Sequence, residues 1–362
     1  MMNFAEPATV SAAPDSKLAI DVVVVGGGVA GLAAALGLSR AKRSVVVVDS
    51  GHPRNAPAAH AHGYLTRDGL PPMELLAIGR REVRGYGTEI VDGTVTSLTR
   101  LPGGGFRVTL AQGGGRDARR VLVATGLIDE LPDIRGLRER WGRDVVHCPY
   151  CFGWELHEAA LGVLATGPHA AAQVLMWRQW SSDVSLFLHT VPAPTDEQLE
   201  QLAARGISVV QGEVVAVEVT DDRLTGVRLQ SGNVIPRDAL VVGPRFRARH
   251  ALLEALGVTI SEHPLGIGWQ VQADATGQTA APGVWVAGNV ADVTAGVMQS
   301  AASGVTAGVA INADLTAEDT DRAVAAARGS GSRGGAAPPR RRPRPMLNGP
   351  LRARPRLRSF AA

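Results

Sequence analysis

The chain has 362 residues, 45% of them hydrophobic, with 43 glycines, 4% aromatics and a formal net charge of +3. That is length enough for two ordinary domains with buried cores, and no apolar run approaches the roughly 18 residues that cross a bilayer. Beyond Asp321 there are arginines and no acidic residue, so the basic charge belongs to a tail and the body is an ordinary soluble surface.

Residues 1–17 lack a basic start followed by an apolar stretch, so a leader without order and a cytosolic chain are expected. Residues 20–25, IDVVVV, have the unbroken apolar pattern of a buried parallel strand. Gly26, Gly28 and Gly31 follow as G-x-G-x-x-G, then a helical segment, then the strand SVVVVDS with Asp49 near its end. This is the opening of a dinucleotide-binding unit. Gly26 permits the tight turn, Gly28 lets backbone approach a pyrophosphate, and Gly31 lets the helix pack on the strand. Val29 and Ala30 start the helix whose free N–H groups face the phosphates. Asp49 is placed to accept from a ribose hydroxyl.

Residues 51–72 read as a long functional loop. A helix over 72–87 follows, then strands over 90–98 and 105–110 joined by Pro102-Gly103-Gly104-Gly105, then the strand VLVATG over 121–126. A second unit is expected over 128–248, with strands at 161–166, 184–190, 207–211, 213–219, 224–230 and 239–243. The chain returns at about 249, forms the strand VWVAGN over 284–289, and enters an Ala/Gly-rich helix ending near 313. The expected fold is α/β, with two dinucleotide-binding (Rossmann-like) domains, the second inserted in the first: 18–127 and 249–322 form the first, 128–248 the second, and 323–362 an Arg/Pro-rich tail without order.

The only two cysteines are Cys148 and Cys151, in His147-Cys148-Pro149-Tyr150-Cys151-Phe152-Gly153-Trp154-Glu155. A C-x-x-C pair in a cytosolic chain points to a reversible disulfide rather than a staple. A zinc site needs more ligands than the pair supplies, and His60 and His62 at i, i+2 do not complete one, so no metal is expected.

The Gly-rich first turn, the ATG strand and the late VAGN strand together resemble the flavoprotein disulfide reductases over roughly residues 18–315. The placement of the cysteine pair about twenty residues past the ATG strand is similar to low-molecular-weight thioredoxin reductases. That resemblance implies FAD as cofactor and a homodimer. It implies Ala124, Thr125 and Gly126 near the FAD, Gly288 and Asn289 near its ribityl chain and pyrophosphate, and Gln299 beside the flavin ring. Asn289 stands where the family usually has Asp; an Asn keeps one acceptor and adds donors. Val95 and, in the long loop, Arg54 and Asn55 are further candidate cofactor contacts, the last two for the adenosine side. By the same resemblance Cys151 faces the flavin and Cys148 exchanges with a substrate thiol.

Two departures set this chain apart from a thioredoxin reductase. Phe152 stands where that family has an Asp acid/base after the second cysteine, and the C-P-Y-C-x-G-x-E form resembles the dithiol oxidases that close disulfides in natural products such as gliotoxin and holomycin. His147 or Glu155 is then the candidate acid/base, since a histidine titrates near neutral pH; each is equally readable as a packing or solvated residue. His60 or His62 is a further candidate for handling protons.

The second unit's turn reads Ala165-Thr166-Gly167-Pro168-His169-Ala170, without the first glycine, and the next strand ends His189-Thr190-Val191 with no arginine to grip a 2′-phosphate. NADPH is therefore not the expected partner. The expected function is an FAD-dependent oxidase of a small-molecule dithiol, with electrons passing through Cys148/Cys151 to FAD and then to O2. The alternative is a disulfide reductase using NADPH or another donor such as ferredoxin. The tail arginines Arg340, Arg341, Arg342, Arg344, Arg352, Arg354, Arg356 and Arg358 lack interleaved aromatics, and neither a nucleic-acid nor a membrane partner is expected from them.

Overall fold

A computed structural model describes residues 18–331; the leader and the tail from 332 onward lie outside the described residues. The chain opens with β1 (Ile20–Val25), α1 (Val29–Arg40), β2 (Val45–Asp49), α2 (Pro72–Gly85), β3 (Glu89–Asp92), β4 (Val95–Arg100), β5 (Phe106–Leu110) and β6 (Gly115–Val123). β1 is flanked by parallel partners, β2 on one side and β6 on the other, which is why its valines are fully buried. The sheet order is β3-β2-β1-β6-β5-β4. The single strand expected over 90–98 is two. Gly93 donates to the Asp49 carbonyl at 2.8 Å, so the chain leaves β2's parallel partner there and starts an antiparallel meander at Val95.

From β6 the chain crosses out through β7 (Leu127–Glu130) into a second unit: β8 (Val145–Val146), α3 (Pro149–Phe152), β9 (Leu161–Leu164), α4 (Ala170–Trp177), β10 (Val184–Phe187), α5 (Asp196–Ala204) and β11 (Ser208–Val210). A meander follows, β12 (Val214–Thr220), β13 (Arg223–Leu229) and β14 (Val234–Pro236), and then β15 (Ala239–Val242). The order β11-β10-β9-β15-β8 is a second parallel sheet. Its strand carbonyl ends form the edge where a doubly wound sheet takes a ligand.

The return crossing is β16 (Arg245–Ala248), antiparallel to β7 with Glu130 opposite Arg245 and Leu127 opposite Ala248. It is followed by α6 (Ala251–Glu254), β17 (Ile260–Glu262), β18 (Gly268–Val271), β19 (Val284–Val286) and α7 (Val297–Gly331). β17, β18, β16 and β7 make a small mixed sheet that the sequence did not announce. β19 pairs with β6 and completes the first sheet.

α7 runs to Gly331, well past the expected end near 313, so residues 323–331 are helical rather than part of the tail. The run Ala323–Ala327 is strongly helix-forming, and that outweighs the absence of an apolar period. Gly304 lets α7 approach α1: a Cβ there would sit on the Ala30 carbonyl oxygen. That close crossing brings the start of α7 beside the first glycine turn. Among the described residues no helix is long and apolar enough to cross a membrane.

Candidate active site

Two regions carry the chemistry, and the first is the glycine turn between β1 and α1. A Cβ on Gly26, whose φ is +110°, would strike the Ala124 carbonyl, and one on Gly31 would strike Gly26's own carbonyl. Gly28 is different: a Cβ there meets nothing within 4 Å, and no side chain caps α1. The first-turn N–H groups of Val29, Ala30 and Gly31 therefore face an open approach, which is the cradle a pyrophosphate fits. Asp49 lies against the same turn, its carboxylate carbon and Oδ2 both 2.7 Å from where a Gly27 Cβ would be. Gly288 (φ +73°) closes the other side, 2.9 Å from the Ala30 Cβ by the same construction. Gly288 and Gln299 line one cavity of 620 Å³ where β19 meets α7.

Not every expected cofactor residue stands free there. Thr125 Oγ1 donates to the Arg249 carbonyl at 2.7 Å, and the Arg249 N–H donates to the Gly126 carbonyl at 2.9 Å, so this pair also closes the return crossing. Val95 is in the core with Val23, Val25 and Val48. Asn55 makes no side-chain hydrogen bond among the described residues. The Arg54 guanidinium, expected on the adenosine side, is held bidentately by Asp129 (2.6 and 2.9 Å), reaches Asn289 Oδ1 at 3.3 Å, and lies 5.1 Å over the Phe246 ring. Asn289 also donates to the carbonyls of Asp292 (3.0 Å) and Ala295 (2.8 Å). Its amide thus orders the turn after β19. Asp129 and Phe246, on β7 and β16, were missed, because their role depends on a crossing pair of strands more than a hundred residues apart in sequence.

The second region surrounds the cysteines. Cys148 and Cys151 are joined as a disulfide with Cα atoms 5.3 Å apart. Pro149 at the first position of α3 presets its φ, and the Cys148 carbonyl accepts from the N–H groups of Cys151 and Phe152, both at 3.2 Å. Gly153 must be glycine, since a Cβ would meet the Pro149 carbonyl and, at 2.7 Å, the Trp180 ring.

A cavity of 540 Å³ opens beside this helix, lined on one side by Pro57, His60, His62, Cys151, Phe152 and Glu155. Arg140, Arg143, Asp144 and Asp222 also line it. Arg140 pairs with Asp144 and Asp222, and Arg143 with Asp222, which fixes the β12–β13 turn in place. The cavity meets Cys151 and not Cys148.

His62 and Glu155, ninety-three positions apart, meet in this cavity. His62 Nδ1 is 3.2 Å from Asp68 Oδ2, and the Gly63 N–H (2.7 Å), then His62, hold the Asp68 carboxyl below its ordinary range. Nδ1–H donates to Asp68, which leaves Nε2 to face Glu155. It is buried, 3.2 Å from Glu155 Oε1 but off the line of a hydrogen bond. The pair therefore meets as a close contact between an imidazole nitrogen and a carboxylate oxygen at the cavity wall. His60 sits 6.1 Å away, with Nδ1 on the Gly69 carbonyl at 2.9 Å. His147 lies apart from this group. Its Nδ1 donates to the Val242 carbonyl at 3.2 Å and its ring meets Phe246 edge-on. Burial pushes its pKa below the ordinary value, so it is neutral at pH 7 with Nε2 as its acceptor.

The edge of the second sheet is internally engaged. Thr166 donates to the Gly243 carbonyl at 2.8 Å, His169 Nε2 to the Leu265 carbonyl at 2.8 Å, and His189 Nδ1 accepts from Val214 N–H at 3.1 Å. Arg178, the nearest arginine after the turn, donates to the carbonyls of Arg205 and Ser181.

Residues 20–308 match the family described as pyridine nucleotide-disulphide oxidoreductase. The chain is similar to the crystal structure of HlmI, with 48% identity, a TM-score of 0.80, and coverage of 86% of this chain and 97% of that one. An oxidoreductase from Agrobacterium tumefaciens is similar at 36% identity and TM-score 0.77, over 82% of this chain and 98% of that one. Thioredoxin reductase tcpT from Claviceps purpurea is 28% identical over 322 residues, 83% of this chain and 95% of that protein. A relative from Arthroderma benhamiae, 35% identical over 175 residues, is matched over 43% of its own length.

Proposed function

This chain belongs to the pyridine nucleotide-disulphide oxidoreductase family, among the FAD-binding flavoproteins of thioredoxin-reductase type, and we propose that it is a dithiol oxidase acting on a small molecule. The observation that carries this reading is the contrast between its two ligand edges. The redox disulfide borders, through Cys151, a cavity of 540 Å³, the size of a small-molecule site, in which a bound dithiol would lie beside the bond to Cys148, while the turn that would hold NADPH is engaged with its own protein.

In this mechanism one substrate thiolate attacks Cys148 Sγ, the Cys148–Cys151 bond breaks, and Cys151 leaves as a thiolate. The second substrate thiolate attacks the substrate sulfur of the mixed disulfide and releases Cys148. The substrate gains a disulfide, and two electrons and two protons pass to the cysteine pair. His62 and Glu155 exchange the proton at Cys151, and the neutral Nε2 of His147 serves the Cys148 side. Val29, Ala30 and Gly31 N–H groups would hold the cofactor's pyrophosphate, Asp49 its ribose, and Gly288 and Gln299 its flavin end. When bound, FAD would supply a two-electron acceptor for the reduced cysteine pair, and O2 would be the final acceptor, with hydrogen peroxide as product.

The test is anaerobic reduction of the purified flavoprotein, followed at the flavin absorbance band. A small dithiol is expected to bleach the band, air to restore it with release of peroxide, and NADPH to leave it unchanged. Rapid bleaching by micromolar NADPH would sink the oxidase reading and make the protein a reductase, as the name of its Claviceps relative has it.

A further inference from the structure

The carboxyl edge of the first sheet carries a charge problem. Asp49 and Asp92 end the neighbouring parallel strands β2 and β3 and are register partners. Two carboxylates side by side repel. Arg80 reaches over from α2 and bridges them, through Nη2 to Asp49 Oδ2 and through Nη1 to Asp92 Oδ1 at 3.1 Å. Asp49 is 13% exposed and Asp92 79% exposed, so the bridge ties the inner carboxylate to an outer one that water already stabilises. It also fixes which oxygen is spoken for. Oδ2 belongs to Arg80 and lies against the glycine turn, whereas Oδ1 has no hydrogen-bond partner among the described residues.

We propose that Arg80 is a positioning residue for the adenosine end of the cofactor, acting through Asp49: it neutralises the Asp49/Asp92 pair and leaves Asp49 Oδ1 preset to accept from a ribose hydroxyl. The inference rests on Asp49 being the ribose contact. Without Arg80, the Asp49 side chain turns away from Asp92, and the ordering of that side chain must be supplied by the cofactor when it binds, which weakens binding.

FAD release from the purified holoenzymes on serial dilution, read by the recovery of flavin fluorescence, tests this. Arg80→Ala is expected to raise the FAD dissociation constant about tenfold, the scale of one charge-assisted contact. Arg80→Lys is expected to restore most of the affinity, and Asp92→Asn alone to stay within about twofold of the parent, because Asp92 is the exposed partner and an exposed ion pair contributes little. The Arg80→Ala/Asp92→Asn double variant is expected to bind better than Arg80→Ala, because the repulsion is gone. Two results overturn the proposal: Arg80→Ala holding FAD as tightly as the parent, or the double variant binding no better than Arg80→Ala. Asp49→Asn is the separate control. If it weakens FAD while Arg80→Ala does not, the positioning role fails and the ribose contact stands; if neither matters, the ribose contact fails too.

Discussion

A histidine from the long loop and a glutamate one turn past the second cysteine come within 3.2 Å of each other only because the loop folds back beside α3. His62 is held from behind by Asp68 and faces Glu155 in front, so its ring cannot rotate without losing one partner. Either Glu155→Gln or His62→Ala is expected to slow dithiol oxidation by about 10²- to 10³-fold, in line with the loss of one positioned acid/base, while the flavin spectrum stays intact. Because the two act as one unit, the double variant should be little slower than either single. Stopped-flow reduction by a dithiol measures this, and full rates in Glu155→Gln would remove the pair from the mechanism.

His147 makes a prediction about pH. Its folded pKa lies below the ordinary value of 6.5 because burial disfavours the charged ring. Between those two values the unfolded chain binds a proton that the folded chain does not, so stability falls as pH drops from about 6.5 and levels off once both forms are protonated. His147→Gln should flatten that part of the dependence; melting temperatures of both proteins between pH 7 and 4 measure the difference. Legibility at this scale follows sequence distance. The cysteine pair, the glycines of the first turn, His147 and Glu155 are all local signals. Asp129, Phe246 and Arg80 carry no motif, since each matters only through a partner brought in by the fold, such as Arg54 seventy-five positions before Asp129; Asp68 lies only six residues from His62 in the same loop and carries no motif either.

Among the elements, the crossing of α7 over α1 depends on small residues. Gly304 touches the Ala30 backbone and Gly308 packs near Ala34. Gly304→Val must push the helices apart, at a cost of about 1–3 kcal/mol for overpacking. Since the same contact sets Gly288 beside Ala30, flavin content of the purified protein should fall along with its melting temperature; retained flavin at a lowered melting temperature would separate the two effects. Apolar runs marked most of the parallel strands, but β8 was not expected, β6 begins six residues before the expected 121–126, and the strands expected over 184–190 and 284–289 end three residues early. Short amphipathic strands such as β7, β16, β17 and β18 were not readable, because four residues of mixed polarity form a strand only when a partner is available. The end of α7 was misjudged for the opposite reason: an alanine run makes helix without needing a buried face.

At the scale of the whole molecule, the two sheets and their nesting follow from a repeated strand-turn-helix pattern, and the second copy's damaged turn was visible as missing glycine and arginine. What the sequence could not reveal is how that edge is filled. The contacts of Thr166, His169 and His189 run to carbonyl or amide groups dozens of residues away, and a backbone acceptor leaves no trace in the identity of the residue that carries it.

The paired crossings have one more consequence. Glu130 and Arg245 face each other across β7 and β16, so the chain enters and leaves everything between them through one two-stranded stem, and that segment could be cut away and the stem closed by an Asn-Gly hairpin turn. The shortened chain keeps the Leu127/Phe246/Val293 cluster and the Arg54–Asp129–Asn289 contacts. It is expected to fold, take up FAD and show a yellow absorbance band, yet to be inert toward dithiols. A colourless or insoluble product would mean that the thiol-bearing unit is a structural support for the flavin-bearing one, and not a cartridge that was plugged into a protein already able to stand without it.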